Sequence, residues 1–366
     1  MPAAAMGAPV ATTEPLPTPS QLADLIVADA DALRTVAESR LAVREILSGA
    51  DPRRLLVVVG PCSVHDVAAA GEYARRLMAL APEVDDALLL VMRAYVEKPR
   101  TTVGWKGLVS DPRLDGSCRL AEGLAATRSL LRDLTAAGQP TAVEFLSPLV
   151  APYVVDLVTW GAVGARTAES QIHRELVSAL PVPVGFKNGT DGDVGVALDA
   201  IRASGRPHAF PWIDSEGHIA TCRSPGNAHG HVILRGSPGK PNFGADHVRQ
   251  AVEAAAARGI GNPPPGIVID CSHDNCGKDH RRQRDALADV ARQVRGGCAH
   301  IRGVMIESFL HEGRQDLPPD ADAGVGVLDR LRPGVSITDA CVGWDDTVAM
   351  LRDLAAAVRA GRPRPQ

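Results

Sequence analysis

Val57-Val58-Val59-Gly60-Pro61-Cys62 is a strand-like apolar run that ends in a cysteine, a residue suited to metal chemistry. The same pattern recurs along the chain in apolar runs that lead to Arg93, Arg166, Lys187, Arg235, His273 and Glu307. If the strands are parallel, all of these side chains emerge at one end of one sheet, where parallel α/β proteins carry their chemistry. The pattern therefore predicts the architecture and the active site together.

Strands and helices alternate along most of the chain. Thr141-Ala142-Val143-Glu144-Phe145 adds an eighth strand-like run. The helical patterns cover residues 66–80, 120–137, 151–159, 170–180, 194–204, 245–258, 280–295 and 345–360. Eight βα units in succession predict an α/β protein, a (β/α)8 TIM barrel, with an open doubly wound sheet as the alternative. A dinucleotide-binding fold is disfavoured because no G-x-G-x-x-G motif follows the first run.

Composition divides the chain into three parts. Residues 1–19 are rich in Ala and Pro and predict a flexible arm. Residues 20–50 predict an N-terminal helical extension with Ser20 as its N-cap, and residues 51–366 predict the catalytic barrel. Three segments do not fit a bare barrel: a long loop at 93–118, a β-hairpin at 207–224 inserted before strand six, and a flexible or lid-like loop at 311–337.

Charge and cysteine usage narrow the class of protein. The formal net charge is −4, with acids and bases mixed along the chain, which argues against a nucleic-acid surface or a membrane patch. No apolar stretch is long enough to span a bilayer, and the N-terminus lacks the pattern of a signal peptide. Seven irregularly spaced cysteines favour reduced thiols in a cytoplasmic protein.

One group of predicted site residues combines a thiol, an imidazole and two carboxylates: Cys62, His273, Glu307 and Asp339. Such a mixed set suits a divalent first-row metal such as Mn²⁺, Fe²⁺, Co²⁺ or Zn²⁺. The alternative is that Cys62 is a small buried hydrophobe and His273 a hydrogen-bonding core residue. Both interpretations stay open from the residue types alone.

A second group is basic and consists of Arg93, Lys98, Arg166, Lys187 and Arg235. Cations that converge on one barrel mouth repel one another unless anions are bound, so they predict a substrate with phosphate and carboxylate groups. The alternative is a set of scattered ion pairs with Glu97, Glu144 and Glu169. Lys98-Pro99-Arg100-Thr101-Thr102 suits a second phosphate, although an exposed basic turn is also compatible with it.

Several longer motifs resemble one family of enzymes. The matching stretches are Gly60 to Asp66, Met92-Arg93 through Glu97-Lys98-Pro99-Arg100-Thr101-Thr102 to Gly107, Gly164 to Thr167, Gly185 to Gly192, Ile233 to Gly236, Ser272-His273, Ile306 to Ser308 and Ser336 to Cys341. They resemble the type I 3-deoxy-D-arabino-heptulosonate 7-phosphate (DAHP) synthases of the Phe/Tyr/Trp-regulated bacterial subgroup. That resemblance implies a metal-dependent barrel transferase that condenses phosphoenolpyruvate with erythrose 4-phosphate at the start of the shikimate pathway.

The resemblance also implies roles for single residues. Cys62, His273, Glu307 and Asp339 would hold the metal. Arg93, Lys98, Arg166, Lys187 and Arg235 would bind phosphoenolpyruvate beside His273, and Arg100 and Thr101 would face erythrose 4-phosphate. Lys98 is the expected proton donor to the aldehyde-derived oxygen, and Glu144 is expected to position the attacking water.

Regulation is expected to differ from that of feedback-sensitive relatives. The N-terminal segment is Ala/Pro-rich, and Ser147, Pro181 and Trp212 stand around the effector pocket implied by the resemblance. We therefore expect weak or altered inhibition by Phe and Tyr, in a homo-oligomer of two or four chains. The alternative functions are a 3-deoxy-D-manno-octulosonate 8-phosphate synthase, a catalytically silent regulatory barrel and a class II metal aldolase.

Overall fold

A closed barrel of eight parallel strands forms the centre of the molecule. The computed structural model describes residues 14–261, 266–318 and 326–362. The strands are β1 Leu55–Gly60, β2 Leu88–Arg93, β3 Thr141–Glu144, β4 Trp160–Val163, β5 Val184–Lys187, β6 His208–Ile213, β7 Ile219–Ser224, β8 Gly230–Leu234, β9 Ile267–Asp270 and β10 Ile301–Glu307. The barrel order is β1-β10-β9-β8-β5-β4-β3-β2, and β2 pairs back onto β1. The predicted (β/α)8 fold is confirmed.

The alternation of side chains along β1 explains the barrel. Leu56 and Val58 belong to an inner cluster with residues such as Trp160 and Met305 from other strands. Val57 and Val59 belong to the larger outer cluster between the strands and the helices. Because successive side chains of a strand point to opposite faces, an unbroken apolar run is what a strand buried on both faces requires.

The helices follow the predicted ranges closely. They are α1 Pro19–Leu25, α2 Ala30–Ser48, α3 Val67–Leu80, α4 Leu120–Ala136, α5 Ala151–Val154, α6 Gln171–Ala179, α7 Gly195–Ser204, α8 Ala245–Ala257, α9 Gln283–Arg295 and α10 Trp344–Gly361. Two predicted helices are shorter than expected. The 151–159 segment is one α-helical turn followed by a 3-10 turn, and residues 280–282 form a 3-10 turn ahead of α9.

The predicted N-cap at Ser20 is wrong. Thr18 caps α1 with a capping box, in which its side chain accepts from the backbone N–H of Gln21 and the Gln21 side chain accepts from the backbone N–H of Thr18. Residues 1–13 of the predicted arm lie outside the described residues. The end of the arm is anchored, because the Tyr153 hydroxyl donates to the carbonyl of Pro17 at 2.7 Å.

The second helix closes the lower end of the barrel. Val43, Ile46 and Leu47 of α2 belong to the same inner cluster as the barrel side chains Leu56 and Val58. The backbone N–H of residue 266, just before β9, donates to the carbonyl of Leu47 at 3.0 Å. The helical extension therefore forms part of the core on the side opposite to the carboxyl ends of the strands.

The insertions lie where the sequence predicts them. β6 and β7 form an antiparallel hairpin ahead of β8. In the 311–337 loop, residues 319–325 lie outside the described residues, and the described parts are joined by bridges from Gly313 to Cys341 and from Arg314 to Ser336. Among the described residues, no helix combines the length and apolar character that crossing a membrane requires.

Candidate active site and metal centre

The carboxyl ends of the barrel strands surround a cleft of about 560 Å³. Every predicted site residue except Cys62 lines it: Arg93, Lys98, Arg100, Thr101, Glu144, Arg166, Lys187, Arg235, His273, Glu307 and Asp339. Cys62 is completely buried, and its Sγ contacts the Lys98 Nζ at 2.9 Å. The strand-end pattern thus converges on a single cleft.

The turn after β1 depends on a glycine. Gly60 has a φ of 153°, and a Cβ at this position would lie 2.8 Å from the carbonyl oxygen of Arg93. Gly60 is also paired in register with Glu307 on the neighbouring strand β10. The close approach of β1 to its neighbours therefore brings Cys62 to the same depth as Arg93 and Glu307.

Three of the four predicted metal ligands form a compact group. The ligand atoms of Cys62, Glu307 and Asp339 all lie within 4.8 Å of one another. The Lys98 ammonium contacts two of these residues, Cys62 Sγ and Asp339 Oδ2, each at 2.9 Å. A thiol and two carboxylates that lie this close together, beside the Lys98 ammonium, form a donor set that fits a divalent cation.

The electrostatics of Cys62 support that fit. Burial and the Glu307 carboxylate raise the pKa of the Cys62 thiol to about 12. The Lys98 ammonium, 2.9 Å from the sulfur, lowers this pKa but does not bring it near neutrality, so a coordinated metal would supply the further positive charge that ionises the thiol. The Asp339 side chain is 61% exposed. Its partial desolvation in the cleft tends to raise its pKa, but the charge of Lys98 outweighs this and holds that pKa well below its usual range.

His273 stands at the edge of this group. Its Nε2 lies 4.0 Å from Glu307 Oε1, and its Nδ1 lies 2.8 Å from the Ser272 hydroxyl and 2.9 Å from Asp270 Oδ2. Because the Ser272 hydroxyl donates its proton to Asp270 Oδ1, it accepts from Nδ1, so the proton of the neutral ring lies on Nδ1 and the Nε2 lone pair is left for a ligand. The φ of His273 is +56°, a sparsely populated conformation for a non-glycine residue that recurs at functional sites.

Arg93 is a structural centre of the site as well as a predicted anion-binding residue. Its Nη2 lies 3.1 Å from Glu307 Oε1, and both side chains are almost completely buried. The guanidinium also donates to the carbonyls of Pro61 and Cys62 and lies 3.9 Å from the centre of the Tyr95 ring. Arg93 therefore fixes the backbone that carries the cysteine and neutralises a buried carboxylate.

The other cations differ in how far they are neutralised. Lys187 Nζ lies 3.3 Å from Asp270 Oδ2, and Arg235 Nη1 lies 2.5 Å from Asp274 Oδ2. Arg166 is exposed and has no hydrogen-bond or ion-pair partner among the described residues. The predicted alternative of ion pairs with Glu97, Glu144 and Glu169 is wrong for the described residues, where none of the three forms an ion pair.

Comparison with known proteins identifies the family. The family model described as the DAHP synthetase I family matches residues 26–352. A Phe-sensitive phospho-2-dehydro-3-deoxyheptonate aldolase from Escherichia coli K12 is 50% identical over 344 residues, which cover 94% of this chain and 95% of that protein. The chain belongs to the DAHP synthetase I family.

Further relatives of this family agree. A Trp-sensitive phospho-2-dehydro-3-deoxyheptonate aldolase from Enterobacter agglomerans is 52% identical over 324 residues, with 88% of this chain and 89% of that protein covered. The structure of phospho-2-dehydro-3-deoxyheptonate aldolase from Francisella tularensis SCHU S4 superposes with a TM-score of 0.91 at 43% identity, covering 97% of this chain and all of that chain. The predicted enzyme class, a transferase of the DAHP synthase type, is confirmed, and the three alternative functions are not favoured.

Glu144 and the loop after β2 complete the lining of the cleft. Glu144 is buried beside Gly164, where a Cβ would lie 2.5 Å from Glu144 Oε1, so the glycine leaves room for the carboxylate. Arg100 and Thr101 are exposed at the cleft rim. The backbone N–H of Ser147 donates to Glu97 Oε2 at 3.4 Å, which joins this loop to the segment after β3.

The strand-end pattern missed four functional candidates. Asp270 and Asp274 hold Lys187 and Arg235, while Lys278 and Arg314 extend the basic lining of the cleft. Asp270 is the last residue of β9, so the strand-end rule could have selected it. Asp274 lies in a 3-10 turn and Lys278 and Arg314 lie on loops, where no periodic pattern marks them.

Proposed function

We propose that the chain catalyses the condensation of phosphoenolpyruvate with D-erythrose 4-phosphate and water to give DAHP and phosphate. The observation that carries the assignment of residues is the meeting of the basic cluster with the Cys62, Glu307 and Asp339 group in one cleft. Cys62, His273, Glu307 and Asp339 would hold a divalent metal, which would supply a Lewis acid for the aldehyde oxygen. Mn²⁺, Fe²⁺, Co²⁺ and Zn²⁺ all suit the donor set.

The basic residues bind and orient phosphoenolpyruvate. Guanidinium groups bind carboxylate and phosphate in bidentate fashion. Arg166 is exposed and has no ion-pair partner in the described part of the chain, so it is the cation best able to bind an incoming phosphate. Lys187 and Arg235 are already partly neutralised by aspartates, which limits their mutual repulsion before the substrate arrives. The Arg93 side chain is almost completely buried and holds Glu307 in place beneath the cleft.

The loop after β2 binds the acceptor and supplies a proton. Arg100 and Thr101 at the rim bind the phosphate of erythrose 4-phosphate, and Lys98 reaches from the same loop into the ligand group. As C3 of phosphoenolpyruvate attacks the aldehyde carbon, the Lys98 ammonium donates a proton to the oxygen that becomes the hydroxyl. The new bond leaves C2 with oxocarbenium character.

Glu144 directs the water that completes the reaction. Its carboxylate lies in the cleft beside Gly164 and holds a water for attack on C2. The water gives one proton to the Glu144 carboxylate as it bonds to C2. The resulting hemiketal then breaks the C2–O bond to its phosphate group, and the C2 hydroxyl proton returns to the Lys98 amine as the ketone forms. Arg166 and Arg235 stabilise the charge of the released inorganic phosphate.

Phosphate release with two acceptors tests the proposal. We expect turnover with erythrose 4-phosphate, none with arabinose 5-phosphate, and loss of activity on chelation that Mn²⁺ restores. Absence of turnover with erythrose 4-phosphate in metal-replete buffer would contradict the proposal. A preference for arabinose 5-phosphate would instead identify the activity as that of a 3-deoxy-D-manno-octulosonate 8-phosphate synthase.

We also propose a cytoplasmic homo-oligomer of two or four chains. All seven cysteines are free thiols, as a reducing compartment favours. Large apolar side chains are exposed on the hairpin and near the N-terminal helices, with Ile219 85%, Leu25 77% and Val27 61% exposed. Light scattering coupled to size-exclusion chromatography measures the assembly, and a stable monomer would contradict the proposal.

A further inference from the structure

One buried carboxylate contacts both functional groups of the cleft. Asp270 ends β9 and is completely buried. Its Oδ2 lies 2.9 Å from His273 Nδ1 and 3.3 Å from Lys187 Nζ. Its Oδ1 accepts from the backbone N–H of Ser272 at 3.0 Å and from the Ser272 hydroxyl at 2.6 Å. Asp270 therefore joins a proposed metal ligand to a proposed phosphoenolpyruvate ligand.

We propose that Asp270 is a positioning residue that couples the metal site to the phosphoenolpyruvate site by holding His273 and Lys187 with the same oxygen. A carboxylate that water cannot reach must share its charge between these two partners. When the carboxylate moves closer to one partner, it stabilises the positive charge of the other partner less. The coupling rests on the proposed roles of His273 and Lys187 and adds a link between them.

The direction of the coupling follows from the contacts. A cation bound by His273 makes its ring more positive, and Nδ1 lies 2.9 Å from Asp270 Oδ2 and 2.8 Å from the Ser272 hydroxyl, which donates to Asp270 Oδ1. The added charge therefore draws the Asp270 carboxylate towards the ring. Lys187 is then less neutralised and attracts an anionic substrate more strongly. Because equilibrium coupling is reciprocal, phosphoenolpyruvate tightens the binding of the metal by the same factor, for which a range of about 5- to 150-fold is typical.

The chain offers a matched control in Asp274. This carboxylate pairs with Arg235, another cation of the same cluster, at 2.5 Å and has no described contact with the His273 ring. Asp274→Asn therefore disturbs phosphoenolpyruvate binding through Arg235 but leaves the shared Asp270 oxygen in place. Asp270→Asn disturbs both sites with a side chain of nearly equal size.

Calorimetric titration of Mn²⁺ and of phosphoenolpyruvate, each alone and in the presence of the other, tests the coupling at pH 8. We expect Asp270→Asn to weaken Mn²⁺ binding by about 10- to 100-fold and to lower the coupling factor at least fivefold below that of Asp274→Asn. Asp274→Asn should keep the Mn²⁺ affinity within about threefold of the unmodified chain. Equal Mn²⁺ affinities and equal coupling in the two variants would overturn the inference. If the unmodified chain bound no phosphoenolpyruvate, the proposed function would fail instead.

A second pair of variants keeps the test valid if Asp270→Asn does not fold, as judged by near-ultraviolet circular dichroism. Lys187→Met gives the Asp270 oxygen wholly to His273, whereas Arg166→Met removes a cation that has no described carboxylate partner. We expect Lys187→Met to bind Mn²⁺ at least threefold more tightly than Arg166→Met. Equal affinities would show that only net charge matters and would overturn the inference.

Discussion

Arg93→Met removes a guanidinium that is 1% exposed and leaves the Glu307 side chain, 2% exposed, without its charge partner. Breaking a buried ion pair on one side costs about 3–5 kcal/mol because the remaining charge has neither water nor a counter-charge. The lost donations to the carbonyls of Pro61 and Cys62 act in the same direction. We therefore expect the free energy of unfolding to fall by about 3–5 kcal/mol.

Thermal unfolding in the presence of EDTA measures this loss without a metal to neutralise Glu307. A chain of 366 residues has an unfolding entropy of about 0.8 kcal/mol/K, so the expected decrease in Tm is about 4–6 °C. Saturating Mn²⁺ should recover part of the decrease, because a cation beside Glu307 replaces the missing charge.

Arg166→Met is the control for Arg93→Met, because it removes a proposed substrate-binding cation that has no structural role. Arg166 is exposed and unpaired among the described residues, so its loss should change the free energy of unfolding by less than about 0.5 kcal/mol while raising the KM for phosphoenolpyruvate. A decrease in Tm below about 1 °C for Arg93→Met would refute the view that Arg93 supports the site structurally.

Three further predictions concern catalysis, pH and regulation. Lys98→Met should lower kcat by about 10²- to 10⁴-fold in metal-loaded enzyme at saturating substrates, because it removes the proton donor; a change confined to KM would contradict that role. Burial raises the pKa of Glu97 from 4.5 to about 7, so the folded state keeps a proton that the unfolded state releases, and stability falls as pH rises from about 4.5 to about 7. Urea unfolding should therefore show Glu97→Gln gaining up to roughly 3 kcal/mol over the unmodified chain at pH 8 but not at pH 4.5, and a gain independent of pH would disprove the assignment. Phe and Tyr should inhibit turnover weakly or in an altered manner, and a micromolar inhibition constant for either would count against this expectation.

The strands were predictable because each is buried on both faces. Runs such as Val57-Val58-Val59 have no polar alternation, and a parallel barrel is the architecture that requires such runs in series. Once the strands are parallel, the side chains at their ends must converge. Because of that geometry, the sequence alone is sufficient to assign Arg93, Lys187 and Glu307 to one cleft.

Contacts formed by loops were less accessible to sequence reasoning. Asp339 is recognisable only by its sequence motif. The loop between Glu307 and Asp339 has no periodicity from which the position of Asp339 in the fold could be predicted. Its contact with Lys98 joins two loops that are 241 residues apart in the chain. The positive φ of His273 and the sharing of Asp270 also depend on packing in three dimensions, which local propensities do not encode.

The pairing of β1 with β10 has a consequence for synthesis of the chain on the ribosome. At about 5–20 residues per second, roughly 12–50 s pass between the translation of β1 and that of β10. During this interval the nascent chain lacks the strand that pairs with one edge of β1 and with β9. The inner apolar side chains of the barrel, which pack against α2 in the finished fold, also stay exposed until the barrel closes. A nascent polypeptide in this state presents the exposed edges and apolar surface that molecular chaperones bind, so its yield in cells should depend on chaperone capacity more than on the stability of the finished barrel.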